Sequence, residues 1–296
     1  MRSNLTDLTQ INLDDLVSSF GWQKYPLPAR LVRSLFFGPA RTFARHMLEF
    51  DSAVGNIGLP GASKMLLKRY TQQVRVFGAD HIPASAFLAL SNHPGMADTL
   101  ALFAALDSSD LKIIALDRPF LLGLLNISRR LFYVRDDTAS RMLLVRQVST
   151  HLRAGKPVLT FPAGEIEPDP DVYPGALESL ENWTDSAGVF IRMAPETAIL
   201  PVLVRGVIRA KSTRNILLGF KNQREDREKL TAALQLLAHV LFKQTDVNIR
   251  VQIGRPIYAR QLGTTDTHAI HQAVLTEMKQ LIENPPVGTG TDIMLP

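Results

Sequence analysis

A chain of 296 residues, 46% hydrophobic and 21% charged with a net charge of +5, has the balance of a globular protein, one large α/β domain or two smaller ones. It contains no cysteine, which excludes a thiol nucleophile, a disulfide framework and a cysteine-based zinc site. The mild basic excess suits an anionic partner (a membrane surface, a phosphorylated co-substrate or nucleic acid) without choosing among them.

The N-terminal run MRSNLTDLTQINLDDLV lacks the continuous apolar core of a signal peptide. Residues 1–72 read as a helical region. In PARLVRSLFFGPARTFARHMLEF, Val32, Phe36, Phe43, Met47 and Phe50 recur at helical spacing, with Arg33, Arg41, Arg45 and His46 mainly on another side. Gly38-Pro39 is expected to divide this stretch into two helices, proline lying in the first turn of the second. Such a region either packs on the body of the protein or rests on anionic lipid, arginines towards headgroups and aromatics dipping in. The two are compatible if only one face is buried.

From residue 73 to 284, strand-like and helix-like runs alternate. Strands are expected at VRVFGA, FLALSN, KIIALD, LFYVR, PVLTFPAG, AILPVLVRG, NILLGF and VNIRVQIG. Helices are expected at DTLALFAALD, PFLLGLLNISRR, TASRMLLVRQVSTHLRAG, REKLTAALQLLAHVLFKQ and DTHAIHQAVLTEMKQLIEN. The pattern predicts an α/β fold, a mixed, largely parallel sheet covered by helices, preceded by the N-terminal helical subdomain. Residues 285–296, rich in Pro, Gly and Thr, are expected to be a flexible tail. PFLLGLLNIS is too short to span a bilayer and is flanked by Arg118 and Arg129, so any membrane contact is expected to be peripheral.

Several chemistries find no support. There is no G-x-S-x-G nucleophile elbow, no phosphate-binding P-loop, no G-x-G-x-x-G after the first strand and no H-E-x-x-H metal spacing. No strand interleaves aromatic with basic residues as a nucleic-acid surface would. What stands out is SNHPGMAD at the end of a buried strand. Residues five apart on an uninterrupted helix differ by about 140° around its axis, so His93 and Asp98 would point apart. Pro94-Gly95 permits a turn that returns Asp98 to the imidazole. A carboxylate on one ring nitrogen fixes the tautomer and leaves the other free to take a proton, the base-and-orienter half of a triad without a protein nucleophile. The same spacing also fits a plain helix cap, with Asp98 closing the helix and His93 a turn residue.

NHPGMAD resembles the N-H-x4-D first motif of the glycerolipid acyltransferase superfamily, the lysophosphatidate acyltransferase-like enzymes. LDRPFLLGLLNISRRLFYVRDD resembles the second motif, LTFPAGEIE the third (F-P-E-G-T-R) and ILPVLVRG the fourth, in family order over roughly residues 74–210. Ala163 and Ile166 depart from the third motif's glutamate and arginine.

The resemblance implies transfer of a fatty acyl group from acyl-CoA or acyl carrier protein to a lipid hydroxyl, without metal or redox cofactor. His93 is then the general base and Asp98 its orienter. Substrate-binding positions on this reading are Asn92, Pro94 and Gly95; Arg118 and Arg135, the latter holding phosphate; Phe161, Pro162, Gly164 and Glu165; and Pro201. Backbone N–H groups near Pro94-Gly95 or Phe161–Gly164 are the candidates for an oxyanion hole, and PFLLGLLNI for a wall of the acyl groove. The implied partners are the acyl donor, the lipid acceptor and an anionic membrane surface, with a cytoplasmic, peripheral location and no nucleic acid. The alternative is a non-catalytic lipid- or acyl-carrier-binding protein on a degenerate form of the fold. Because Glu165, Glu167, Asp169 and Asp171 crowd the third-motif loop, a phosphate-poor acceptor is expected. Otherwise these acids solvate a turn while Arg135, Arg192 or Arg205 takes the phosphate.

Overall fold

The computed structural model describes residues 4–215, 218–219, 223–242 and 246–294. Two helices open the chain, α1 (Leu5–Phe20) and α2 (Pro26–Tyr70). Strand β1 (Gln73–Phe77) then leads to β2 (Phe87–Ser91), α3 (Met96–Leu106), β3 (Lys112–Leu116), the short α4 (Pro119–Leu122) and α5 (Leu125–Ser128), and β4 (Leu131–Val134). There follow α6 (Thr138–Arg153), β5 (Val158–Thr160), α7 (Ser186–Met193), β6 (Ala198–Arg205), α8 (Arg224–Phe242), β7 (Asn248–Ile253), α9 (Ala259–Leu262), α10 (Thr267–Glu283) and β8 (Thr291–Asp292).

The strands form one sheet in the order β4-β3-β5-β2-β6-β7-β1-β8. The five from β4 to β6 run parallel; β7 is antiparallel to β6, β1 parallel to β7, and β8 antiparallel to β1. Strand β2, fully buried, sends Phe87 and Ala89 into one core and Leu88 and Leu90 into the other. That is the alternation of a strand covered on both faces. The first core includes side chains of α2 and α3, the second those of α6, α7 and α10. The fold is therefore the expected α/β type, a mixed, largely parallel sheet with an N-terminal helical region.

Three expectations are revised. The break in the N-terminal helix is at Gly58, whose φ of 76° only glycine adopts without strain, just before Pro60; Pro39 lies inside α2. PFLLGLLNISRR is two short helices, joined through Gly123 and Leu124, rather than one. The C-terminal segment expected to be loose supplies β8, where Arg75 and Val76 pair with Asp292 and Thr291 and Gln73 donates to Asp292 at 2.6 Å. Of the strand expected at NILLGF, Ile216, Leu217 and Phe220 lie outside the described residues.

From Phe43 onward the buried face of α2 belongs to the main core. Its first turns instead form a small cluster with α1, in which Val32 and Ala29 meet Leu16 and Val17. Opposite that cluster, Leu27, Leu31 and Leu35 stand 76%, 60% and 63% exposed at four-residue spacing. No helix among the described residues is long and apolar enough to cross a membrane.

Candidate active site

Strand β2 ends at Ser91, and Asn92 through Gly95 connect it to α3. His93 precedes the helix while Asp98 lies in its first turn, and the bend between them brings His93 Nδ1 to 2.9 Å from Asp98 Oδ2. Asp98 is fully buried and the imidazole is 26% exposed. The same carboxylate accepts from Gly95 N–H at 2.8 Å, from Thr99 Oγ at 2.9 Å and from Thr99 N–H. Orienting the histidine and closing the helix are thus one arrangement rather than rival readings.

With Nδ1–H donated to a carboxylate, the lone pair of the neutral ring resides on Nε2. Phe161 stacks on the imidazole, centroids 4.5 Å apart. Burial alone would lower the proton affinity of His93. The charge and hydrogen bond of Asp98, with the charge of Glu167, outweigh it and raise the pKa above the ordinary histidine value, against a smaller opposing effect of Arg118. The result is an oriented, strengthened base.

Residues 73–205 match the family model Acyltransferase. That stretch is an acyltransferase domain. Among solved structures it is similar to the 1-acyl-sn-glycerophosphate (LPA) acyltransferase PlsC of Thermotoga maritima, at 16% identity over 82% of this chain and 96% of that one, with a TM-score of 0.44. No curated protein sequence matches it.

The remaining motif positions of this acyltransferase divide into those at the dyad and those spent on structure. Asn92, expected to bind substrate, is buried and pairs with the backbone of Val204, accepting from its N–H at 2.8 Å and donating to its C=O at 2.9 Å. It stitches the first motif to the fourth. Pro201, also expected at the substrate, is buried within β6. It lies between the Val202–Ile253 pairing and the isolated Ile199–Ile257 bridge, where its missing N–H interrupts no ladder. Pro94 and Gly95 are buried in the dyad's turn, with Gly95 facing Val207 and Ile208. Two N–H groups considered for an oxyanion hole are engaged: Gly95 with Asp98, Gly164 with the carbonyl of Phe161.

Among the third-motif residues, Phe161 reaches His93, Pro162 is buried, and Gly164 makes the turn at φ 70°. Glu165 is half-exposed and meets Lys229 at 3.2 Å, an ion pair at the surface. The acids beyond it do not form the open carboxylate cluster expected of them. Glu167 and Asp169 are buried, Asp169 accepting from Gly206 and Ile208 N–H, and Asp171 pairs with Arg205 and Arg250. With these acids consumed internally, the ground for a phosphate-poor acceptor falls away. Arg205, itself buried and bound to carbonyls of α10, is not placed to hold phosphate either.

In the second motif, Arg135 is exposed but paired with Asp117 at 2.7 Å, at the adjoining ends of β4 and β3. Arg118 is exposed, and its charge slightly lowers the proton affinity of His93. Leu124 and Ile127 are buried against α2, Phe120 stacks on Phe43 at 6.0 Å, and Leu122 remains 45% exposed. Asp51 of α2 fastens this segment by accepting from Asn126 and Ile127 N–H. Among the described residues no three His, Asp or Glu are grouped to hold a metal ion. The sequence marks Glu167 and Asp169 only as loop acids of the pattern EPDPD, without sign of their burial, and gives no signal for Trp183, which donates to Glu167.

Proposed function

We propose that this acyltransferase moves a fatty acyl group from a thioester donor, acyl-CoA or acyl carrier protein, to a hydroxyl of a lipid acceptor, with His93 as the general base. The observation that carries the reading is the 2.9 Å contact of His93 Nδ1 with a fully buried carboxylate on a partly open ring. Nε2 takes the proton of the acceptor hydroxyl as its oxygen attacks the thioester carbonyl. The tetrahedral intermediate then collapses, the C–S bond breaks, and the departing sulfur receives the proton from Nε2. Asp98 stabilises the imidazolium between the two transfers. No acyl-enzyme is required.

Arg118 is the side chain we assign to a phosphate of donor or acceptor. It is exposed, its charge is felt at His93, and Arg135 is already committed to Asp117. The acceptor can therefore be a lysophospholipid. The exposed Leu27, Leu31 and Leu35, with Phe37 and the exposed Arg30, Arg41 and Arg45, fit a surface that rests on anionic lipid. Lipid mass spectrometry after incubation with acyl-CoA or acyl carrier protein and a panel of phosphorylated and neutral acceptors tests the reading. The expected outcome is a new acyl ester on a lipid acceptor; donor hydrolysis alone, with no acylated acceptor, would refute it.

A further inference from the structure

Asp98 settles how the imidazole is rotated, but a base also needs a fixed root. The main chain of His93 is gripped by a residue 74 positions away. Glu167 donates its own N–H to the carbonyl of His93 at 2.9 Å, and its Oε2 accepts from the N–H of His93 at 3.2 Å. Both polar main-chain groups of the base are therefore closed by one residue. The other oxygen of that carboxylate, Oε1, is occupied by Trp183 Nε1–H at 2.7 Å and Ser179 Oγ at 3.3 Å. These two donors hold Oε2 turned towards His93. Glu167 is 3% exposed, so the arrangement excludes water as a substitute partner.

We infer that Glu167 is a positioning residue for the catalytic base, fixing the place of the His93 ring from behind while Asp98 sets its rotation. The inference rests on the proposed role of His93. Glu167 touches neither acceptor nor donor on this account; it acts through the His93 peptide. Its charge adds to that of Asp98 in raising the proton affinity of His93, and Arg118 is the cation opposing them. Burial pushes the Glu167 carboxyl up to about 7, its bonds to Trp183, His93 and Ser179 holding it from going higher. The base thus lies between two carboxylates, one on its ring and one on its backbone.

Two variants separate hydrogen bond from charge. In Glu167→Gln the amide NH₂ must face a donor, either His93 N–H or Trp183 Nε1–H, so the grip is spoiled and the charge removed. In Glu167→Gln/Trp183→Phe the competing indole donor is gone, so the amide oxygen can return to His93 N–H while the charge stays absent. Each is read by steady-state kinetics and by an NMR titration of the histidine rings, the His93 signal assigned by its loss in His93→Ala. For Glu167→Gln we expect kcat to fall roughly 10–100-fold with both KM values unchanged, the scale of a misplaced catalytic group. The His93 titration should move to lower pH.

The double variant should regain kcat yet keep the lowered titration. Its packing does not set donor against donor, so it carries the test if Glu167→Gln alone does not fold. An unmoved His93 titration, a loss appearing in KM rather than kcat, or a double variant no more active than the single would overturn the inference. If His93→Ala itself transfers acyl groups normally, the base assignment fails. The titrations, which need no activity, still decide whether Glu167 controls the ring.

Discussion

Replacing Asp98 by asparagine keeps the shape of the side chain and removes its charge. Its two oxygens accept from four donors: His93 Nδ1–H and Gly95 N–H on Oδ2, Thr99 N–H and Thr99 Oγ–H on Oδ1. An amide offers one oxygen. If NH₂ takes the place of Oδ1, the Thr99 hydroxyl can turn to accept but the Thr99 N–H cannot. If it takes the place of Oδ2, the Gly95 N–H is orphaned and the imidazole is driven to the tautomer protonated on Nε2, which cannot act as a base. Either way one buried N–H is lost, at about 1–3 kcal/mol of stability. Losing a charged hydrogen bond to the imidazolium, about 1.5–3 kcal/mol, corresponds to roughly 10–150-fold in rate. The wrong tautomer carries the loss towards roughly 10⁴-fold, as for an asparagine in a serine-protease triad. The assay is steady-state acyl transfer alongside a thermal melt. The acidic limb of the rate profile should also move to lower pH, because Asp98 is the larger of the groups raising the His93 pKa. A folded Asp98→Asn protein with wild-type kcat would refute the dyad.

Asn92→Ala should cost about 2–4 kcal/mol, since it orphans both the N–H and the C=O of buried Val204; an unchanged chemical-denaturation midpoint would show that Asn92 is not a stitch. The rate should fall with decreasing pH through a value above the ordinary 6.5 of histidine, because the base must be neutral to accept a proton and its pKa is raised. Stability has the same groups in a different window. Folded His93 and Glu167 both hold protons more tightly than the unfolded chain, so their contribution is present below the unfolded values and declines as pH rises through the folded ones. Melting temperatures measured from pH 5 to 8 should therefore fall, and fall less in Glu167→Gln. Leu31→Glu or Leu35→Glu should weaken binding to anionic vesicles roughly tenfold or more, the effect of withdrawing one leucine from an apolar phase. Flotation should also weaken with added salt, and vesicle binding indifferent to both changes would remove these residues from the contact.

The sheet was legible because its strands are apolar runs bounded by breakers, and β2, β3 and β6 start where FLALSN, KIIALD and AILPVLVRG do. The short α7 was not foreseen. Its eight residues give little periodicity, and Gly188 inside it reads as a breaker. The structure explains that glycine by contact: a Cβ there would come 2.6 Å from Thr267, so α7 and α10 pack closer than a side chain allows. In the N-terminal helix, Gly38-Pro39 and the stretch Gly58–Pro60 carry similar local signals, and only packing decides which one bends. At the site, His93 and Asp98 were readable because they interact over five residues across a recognisable turn. Glu167 was not. A run of acids and prolines looks solvated, and nothing local shows that Trp183 and the His93 peptide come to meet it.

The central claim is that His93 removes the proton of the acceptor hydroxyl. The most direct measurement is the rate of acyl ester formation by purified His93→Ala against wild type, at saturating donor and acceptor, with circular dichroism to show that the fold is kept. The account predicts a loss of roughly 10²–10⁴-fold, the usual contribution of a general base. A folded His93→Ala protein that forms the ester at the wild-type rate would contradict it.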